Sequence, residues 1–200
     1  MAALRLTRLA VTTLRQPILK PVSVLSTRRF LVVDNNPSDK KEQTPAAAKY
    51  LGYAGLIPYL ATTGVGVYMQ ELGPLLAEVQ GQYGACILSF MGAVHWGLAM
   101  SNYGNPPSNT SRYILSTAPS LVAFGSLLMT LPEYTLATQL GGFIALLVYD
   151  LRARSRGLVN TWYPGLRILL TSVVSVCIGT TLYVKYERGN RQRALDEAQM

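Results

Sequence analysis

The chain has 200 residues, a formal net charge of +8 and a mean hydropathy of +0.23. Half of the residues are hydrophobic and only 14% are charged, whereas about a quarter of the residues in a typical soluble domain are charged. Because the apolar residues come in long blocks, the composition excludes an ordinary soluble domain and favours a membrane protein whose principal partner is the lipid bilayer.

The excess positive charge belongs to the N-terminal segment. Six basic residues precede the first acidic residue, Asp34, and removing them lowers the formal charge from +8 to +2. The rest of the chain is nearly neutral, so we expect no nucleic-acid partner. At about 100° per residue, Arg5, Arg8 and Arg15 fall on one helical face and Leu6 falls opposite. This Arg-rich, acid-poor pattern is typical of a mitochondrial transit peptide.

We therefore divide the N-terminal part into two segments. Residues 1–30 are predicted to be a disordered leader that acts as the transit peptide, and the alternative is a basic tail without a targeting role. Residues 31–49 are polar and contain Pro37 and Pro45, which predicts a flexible linker.

Five apolar segments follow, within a domain predicted at residues 50–186. A helix needs about 20 apolar residues to span the hydrocarbon core, and about 17 are tolerated. The segments are Tyr50–Met69, Tyr83–Met100, Tyr113–Leu131, Tyr134–Tyr149 and Leu166–Val184. The sequence thus predicts an all-α, polytopic transmembrane helical bundle with about five spanning helices, or four if one segment lies in the interface. Residues 187–200 are predicted to be a polar C-terminal tail.

Two prolines lie inside these segments, Pro58 in the first and Pro119 in the third. Each removes a backbone hydrogen bond and predicts a kink. Transporters use broken helices at their binding sites, although kinks that only aid packing are commoner.

The loop charges predict an orientation. The connection at residues 70–82 carries only acidic charges, whereas the loop after the fourth segment carries Arg152, Arg154 and Arg156. Because positively charged loops stay on the side of insertion, we expect the N-terminus in the matrix and the C-terminus in the intermembrane space.

Small residues recur every four positions in the second and fifth segments. Close packing of small residues drives much of helix association in lipid, so we expect these stripes to be buried, and a large residue at Ala93 to disrupt folding. The helix-packing residues are Ala85, Ser89, Ala93 and Gly97 in the second segment, and Thr171, Ser175 and Gly179 in the fifth.

The only histidine, His95, lies within the second segment. An ionisable group at this depth is costly unless it faces the protein interior and finds a partner. Three polar residues at neighbouring segment ends should approach from the same side: Asn102, Asp150 and Arg167. An Asp150–Arg167 pair would neutralise both charges near the interface.

Two roles for this polar cluster remain open. His95 is either a structural, hydrogen-bonded histidine or part of a proton or ligand site. A haem or metal role has little support, because one histidine cannot form a bis-histidine haem site and no Cys/His cluster suits zinc. Cys86 and Cys177 lie in separate apolar segments and are interpreted as packing residues. We predict no cofactor, no metal and no catalytic residue, and an enzyme is not favoured.

The stretch from Tyr50 to about Tyr186 resembles the transmembrane protein 69 family. Gly52-x-x-Gly55-Leu56-Ile57-Pro58 opens the matching stretch, and Pro119-Ser120-Leu121 and Asp150 lie further along it. The most specific blocks are His95-Trp96-Gly97 and Trp162-Tyr163-x-x-Leu166-Arg167. The resemblance implies a multi-pass protein, placed in the mitochondrial inner membrane in eukaryotes. It implies no reaction and no binding residue.

Two functions are compatible with these observations. The first is a structural or assembly partner of inner-membrane complexes, which acts through helix packing with other inner-membrane proteins. The second is a small proton-coupled transporter that uses His95, Asp150 and Arg167.

Overall fold

The structure is a computed structural model that describes residues 43–199. Within this range the α-helices are α1 (Ala46–Ala54), α2 (Ile57–Tyr68), α3 (Gly73–Met100), α4 (Thr110–Leu127), α5 (Pro132–Ser155) and α6 (Tyr163–Ala198), with a 3₁₀ helix at Gln70–Leu72. These residues contain no strand, and the predicted all-α helical bundle is confirmed. The predicted leader and residues 31–42 of the predicted linker lie outside the described residues.

Three helices, α3, α5 and α6, are long and apolar enough to cross a membrane. Helix α4 and the shorter helices α1 and α2 do not reach that combination of length and apolarity. The expectation of five spans therefore stays a prediction, and three helices are candidate spans by length and composition.

The first predicted segment is broken rather than kinked. Helix α1 ends at Ala54, and α2 begins at Ile57 with Pro58 in its first turn. Proline is tolerated there because the first N–H groups of a helix have no intrahelical partner. The hydroxyl of Tyr83 donates to the carbonyl oxygen of Gly55 in the break, at 2.9 Å. Pro119, by contrast, stays inside α4.

Two helices extend beyond their predicted ends. Helix α3 begins at Gly73, ten residues before Tyr83, and includes most of the connection predicted before it. Helix α6 continues to Ala198 and includes most of the predicted polar tail. The residues from 189 to 198 of this extension are exposed, so α6 continues past the part that packs on the bundle.

Helix α3 is central to the bundle and packs on α2, α4 and α5, while α6 packs on α5 and α2. Glycines permit the closest approaches. A Cβ at Gly84 would lie 2.2 Å from Gln139 Oε1 of α5, and one at Gly81 would lie 3.1 Å from Thr135 Cγ2. The buried apolar core is formed by side chains of α2, α3, α4, α5 and α6, among them Tyr59, Leu88, Ala123, Phe143, Leu146, Val174 and Ile178.

The expectation of a fully buried small-residue stripe on α3 is corrected. Ala85 is buried and Ser89 is half-buried, but Ala93 and Gly97 are exposed. With 3.6 residues per turn, each four-residue step rotates by about 40°, so three steps leave the buried face by about 120°. The buried face instead combines steps of three and four residues and passes through Ala77, Gly81, Gly84, Leu88, Gly92, His95 and Ala99.

The small-residue stripe on α6 leaves the buried face in the same way. Thr171 is buried, Ser175 is half-buried and Gly179 is exposed. A Cβ at Gly179 would meet no atom within 4 Å. Since α6 packs on α5 and α2, the two stripes do not form a common helix–helix interface.

Candidate functional site

Three charged or ionisable side chains meet between α3, α5 and α6. His95 Nε2 lies 2.6 Å from Asp150 Oδ1, and Arg167 Nε donates to Asp150 Oδ2 at 2.7 Å. All three residues are buried, with at most 2% of their surface exposed. We call His95, Asp150 and Arg167 the triad. It connects α3 with the two consecutive helices α5 and α6.

The triad balances charge inside the bundle. Both carboxylate oxygens of Asp150 accept hydrogen bonds, one from an imidazole and one from a guanidinium. Because an ionised carboxylate only accepts hydrogen bonds, His95 Nε2 carries the hydrogen in this arrangement. With His95 neutral, the triad has no net charge, which lowers the cost of holding these groups away from water.

Each triad residue lies about one turn or more inside its helix. Arg167 is four residues after Tyr163, the first residue of α6, and Asp150 is five residues before Ser155, the last residue of α5. His95 is also five residues from the end of its helix, Met100. Arg167 therefore reaches Asp150 from a backbone position one turn after the start of α6.

Neighbouring residues support the two basic members of the triad. The ring of Tyr149 packs edge-to-face on the His95 ring, with centroids 4.7 Å apart. Nη1 of Arg167 contacts the sulfur of Met91 on α3. Tyr149 has no sequence signal that separates it from the other tyrosines at segment ends, whereas Met91 is one turn before His95 and shares its helical face.

Asn102, the fourth member of the cluster expected from the sequence, does not join the triad. It is exposed in the loop after α3, with a positive φ of 51°. Its side chain donates to Asn105 Oδ1 at 3.0 Å and accepts from Asn109 Nδ2 at 2.7 Å. The helix ends at Met100, so position 102 no longer follows the helical face of His95.

Arg112, in the first turn of α4, is buried. Its Nη1 donates to the carbonyl oxygen of Tyr103 at 2.8 Å, and its Nη2 donates to that of Leu158 at 2.5 Å. Arg112 thus connects the loop between α3 and α4 with the loop between α5 and α6. These acceptors are backbone carbonyls, which the amino-acid sequence does not distinguish.

The triad has the groups for proton exchange or for binding an acceptor, but not a metal-binding set. In the part of the chain that the structure describes, no three His, Cys, Asp or Glu side chains come together as metal ligands. Cys86 and Cys177 are both free thiols.

Comparison with known proteins identifies the family of this chain. Residues 44–183 match the family described as a protein of unknown function, DUF3429. The chain is 34% identical over 152 residues to transmembrane protein 69 of Xenopus tropicalis and 28% identical over 144 residues to that of Mus musculus.

Each of these two alignments covers 71% of this chain and 58% of the relative. The chain therefore matches a little over half the length of both curated relatives. No solved structure matches the chain. The range of the family match, residues 44–183, includes α1 to α5, most of α6 and all three triad residues. This chain is therefore a helical membrane protein that belongs to the DUF3429 family, together with proteins named transmembrane protein 69.

Proposed function

We propose that this protein is a multi-pass protein of the mitochondrial inner membrane and acts as a structural or assembly partner of inner-membrane complexes. The observation that supports this role best is the length of α6. Its 36 residues correspond to about 54 Å of helix, whereas the hydrocarbon core is about 30 Å thick. The helix therefore has a C-terminal arm, residues 189–198, that extends beyond the bilayer.

The arm is exposed and carries charges of both signs. Arg191 and Arg193 precede Asp196 and Glu197, and the residues from 189 to 199 are all exposed. A helix that is polar all round gains no stability from a buried apolar face. A partner protein with complementary charges would supply the missing contacts.

The partner role is tested by gentle-detergent purification from mitochondria with a tag on the N-terminal side of the bundle, after the leader. We expect the full chain to bring inner-membrane complexes with it, and a variant that lacks residues 190–200 to lose them. The full-length double variant Arg191→Glu/Arg193→Glu should lose them as well. Arg191→Lys/Arg193→Lys, which keeps both charges of the arm, is the matched control and should retain them. Equal recovery of complexes by all four proteins would refute the role.

The proposed location is supported by the amphipathic pattern of residues 1–30. A transit peptide needs its positive face for import driven by the membrane potential. We expect the full chain to fractionate with inner membranes, and the variant with Arg5, Arg8 and Arg15 changed to Gln to stay outside mitochondria. Normal import of that variant would remove the support for the leader.

The second candidate is a small proton-coupled transporter, and the triad is the observation that favours it. The Asp150 carboxylate lies between an imidazole and a guanidinium, so a change in its protonation would alter both contacts. If the triad carries protons, His95→Gln should abolish pH-driven solute uptake in proteoliposomes and leave the folded protein intact. Absence of any uptake by the unmodified protein would favour the partner role.

A further inference from the structure

A cavity of about 360 Å³ lies beside the triad, bounded by α1, α2, α3 and α6. This volume is within the range of small-molecule sites, about 300–1,000 Å³. From this cavity we propose that the protein binds one membrane phospholipid, with an acyl chain along the apolar wall and its phosphate and ester oxygens beside Arg167. This binding site goes beyond the proposed assembly role and does not depend on it.

The wall of the cavity suits an acyl chain. It is made mainly of aliphatic and aromatic side chains, including Leu56, Ile87, Val94, Leu170 and Val174. Two further lining residues, Leu51 and Phe90, are 73% and 63% exposed. The cavity therefore reaches the outer surface of the bundle, which lies against lipid in a membrane.

One side of the cavity is lined by hydrogen-bond donors that have no acceptor. Arg167, Thr171 and Tyr163 all line it. Arg167 Nη2, Thr171 Oγ1 and Tyr163 Oη are buried, and each lacks a hydrogen-bond partner among residues 43–199. Arg167 and Thr171 are only 2% and 3% exposed. A buried donor without a partner is costly, so a ligand that supplies oxygen acceptors would stabilise this side of the cavity.

The number of donors favours a phospholipid over a smaller acid. Tyr163, Arg167 and Thr171 follow one another at four-residue steps along α6, and three separate donor groups line the cavity. A single carboxylate has only two oxygen atoms, fewer than the three donors. A phospholipid has a phosphate and two ester carbonyls at different depths and can contact all three donors.

The depth of the donors agrees with this occupant. Arg167 is one turn inside the start of α6, and Tyr163 begins that helix. Phosphate and glycerol groups lie at the edge of the hydrocarbon core, about 30 Å thick. Because Asp150 accepts from Nε of Arg167 and Met91 contacts Nη1, Nη2 is the guanidinium nitrogen that remains for the phosphate.

The test removes the two hydroxyls and leaves the triad unchanged. Thr171→Val/Tyr163→Phe deletes groups that bond nothing within the described fold, so the protein should fold normally. The matched control, Thr180→Val/Tyr183→Phe, deletes two hydroxyls of the same helix outside the cavity lining. Each purified full-length protein is titrated with phosphatidylglycerol in detergent, and bound lipid is counted by native mass spectrometry.

We expect one tightly bound phosphatidylglycerol on the unmodified protein and on the control, and roughly tenfold weaker binding to Thr171→Val/Tyr163→Phe, since two hydrogen bonds are lost. Val94→Trp, which fills the cavity, should abolish the tight site. Neither diacylglycerol, which lacks the phosphate, nor oleate, which lacks both the phosphate and the glycerol esters, should displace the lipid. Any one of three results would overturn the proposal. These are equal binding by the unmodified protein and the double variant, retention of the lipid by folded Val94→Trp, and displacement of the lipid by either competitor.

Discussion

Gly92 of α3 lies directly against Pro119 of α4. A Cβ at position 92 would lie 3.1 Å from Pro119 Cγ and 2.5 Å from the carbonyl oxygen of Ser116. Only a residue without a side chain allows the two helices to approach this closely. The adjacent residue, Ala93, is exposed, so two neighbouring positions on α3 have opposite tolerance for a large side chain.

This difference gives the first prediction. Gly92→Leu should separate α3 from α4 and lower the free energy of unfolding by about 1–3 kcal/mol, the range of overpacked sites. Ala93→Leu should change the free energy of unfolding by no more than about 0.5 kcal/mol, as for other surface changes. Thermal unfolding of both variants in the same detergent compares them, and equal losses would contradict the assigned buried face.

The second prediction concerns Asp150. Asp150→Asn leaves the Arg167 charge buried without an anion and should cost about 3–5 kcal/mol. The double variant Asp150→Leu/Arg167→Leu removes both charges and should be more stable than Asp150→Asn. Glu133→Gln is the matched control, because the Lys185–Glu133 pair, at 2.8 Å, is about one-third exposed. Its loss should lower the free energy of unfolding by less than about 1 kcal/mol. Unfolding in detergent measures all three variants, and a similar loss for Asp150→Asn and Glu133→Gln would argue against a buried triad.

The third prediction is that two glycine-to-alanine changes shift the stability of the protein in opposite directions. Gly84→Ala should be destabilising, because its Cβ would lie 2.2 Å from Gln139 Oε1. Gln139 cannot easily move, since its amide donates to Gly81 O at 2.8 Å and to Ser126 Oγ at 3.0 Å. Gly97→Ala meets no atom within 4 Å and should stabilise α3 by about 0.5–1 kcal/mol. Melting temperatures that shift in the same direction would contradict this prediction.

The fourth prediction concerns the loops that Arg112 connects. A lysine cannot bond two separate carbonyls in the geometry of a guanidinium. Arg112→Lys should therefore loosen the loop at residues 101–109 and speed its cleavage by a protease, while α3 and α4 stay folded. Limited proteolysis followed by mass spectrometry locates the cleavage. Arg154→Lys, at an exposed position, is the control and should be cleaved as slowly as the unmodified protein.

Much of the helical architecture could be predicted from the sequence, because long apolar blocks determine where helices can cross a bilayer. The contact between Asp150 and Arg167 could be anticipated as well, since opposite charges at facing helix ends have few other partners in lipid. Both inferences depend on properties that are local or shared by neighbouring segments.

Other features depend on the packed structure. The break at Gly55 is stabilised by the Tyr83 hydroxyl, 28 residues away in the chain, and composition does not indicate such a contact. The buried face of α3 requires the true helical period, which a strict four-residue pattern misses. The burial of Arg112 depends on the carbonyl oxygen of Leu158, 46 residues further along.

The two ion pairs between α5 and α6 have a further consequence. Asp150 pairs with Arg167, and Glu133 pairs with Lys185; along these antiparallel helices, the 17 residues from 133 to 150 correspond to about 26 Å. Apolar helix surfaces in lipid can slide along each other at little cost, because one leucine-rich turn resembles the next. A slip by one turn, about 5.4 Å, would separate both ion pairs at once. The two ion pairs, which lie near opposite ends of the span, therefore fix the axial register of α6 against α5.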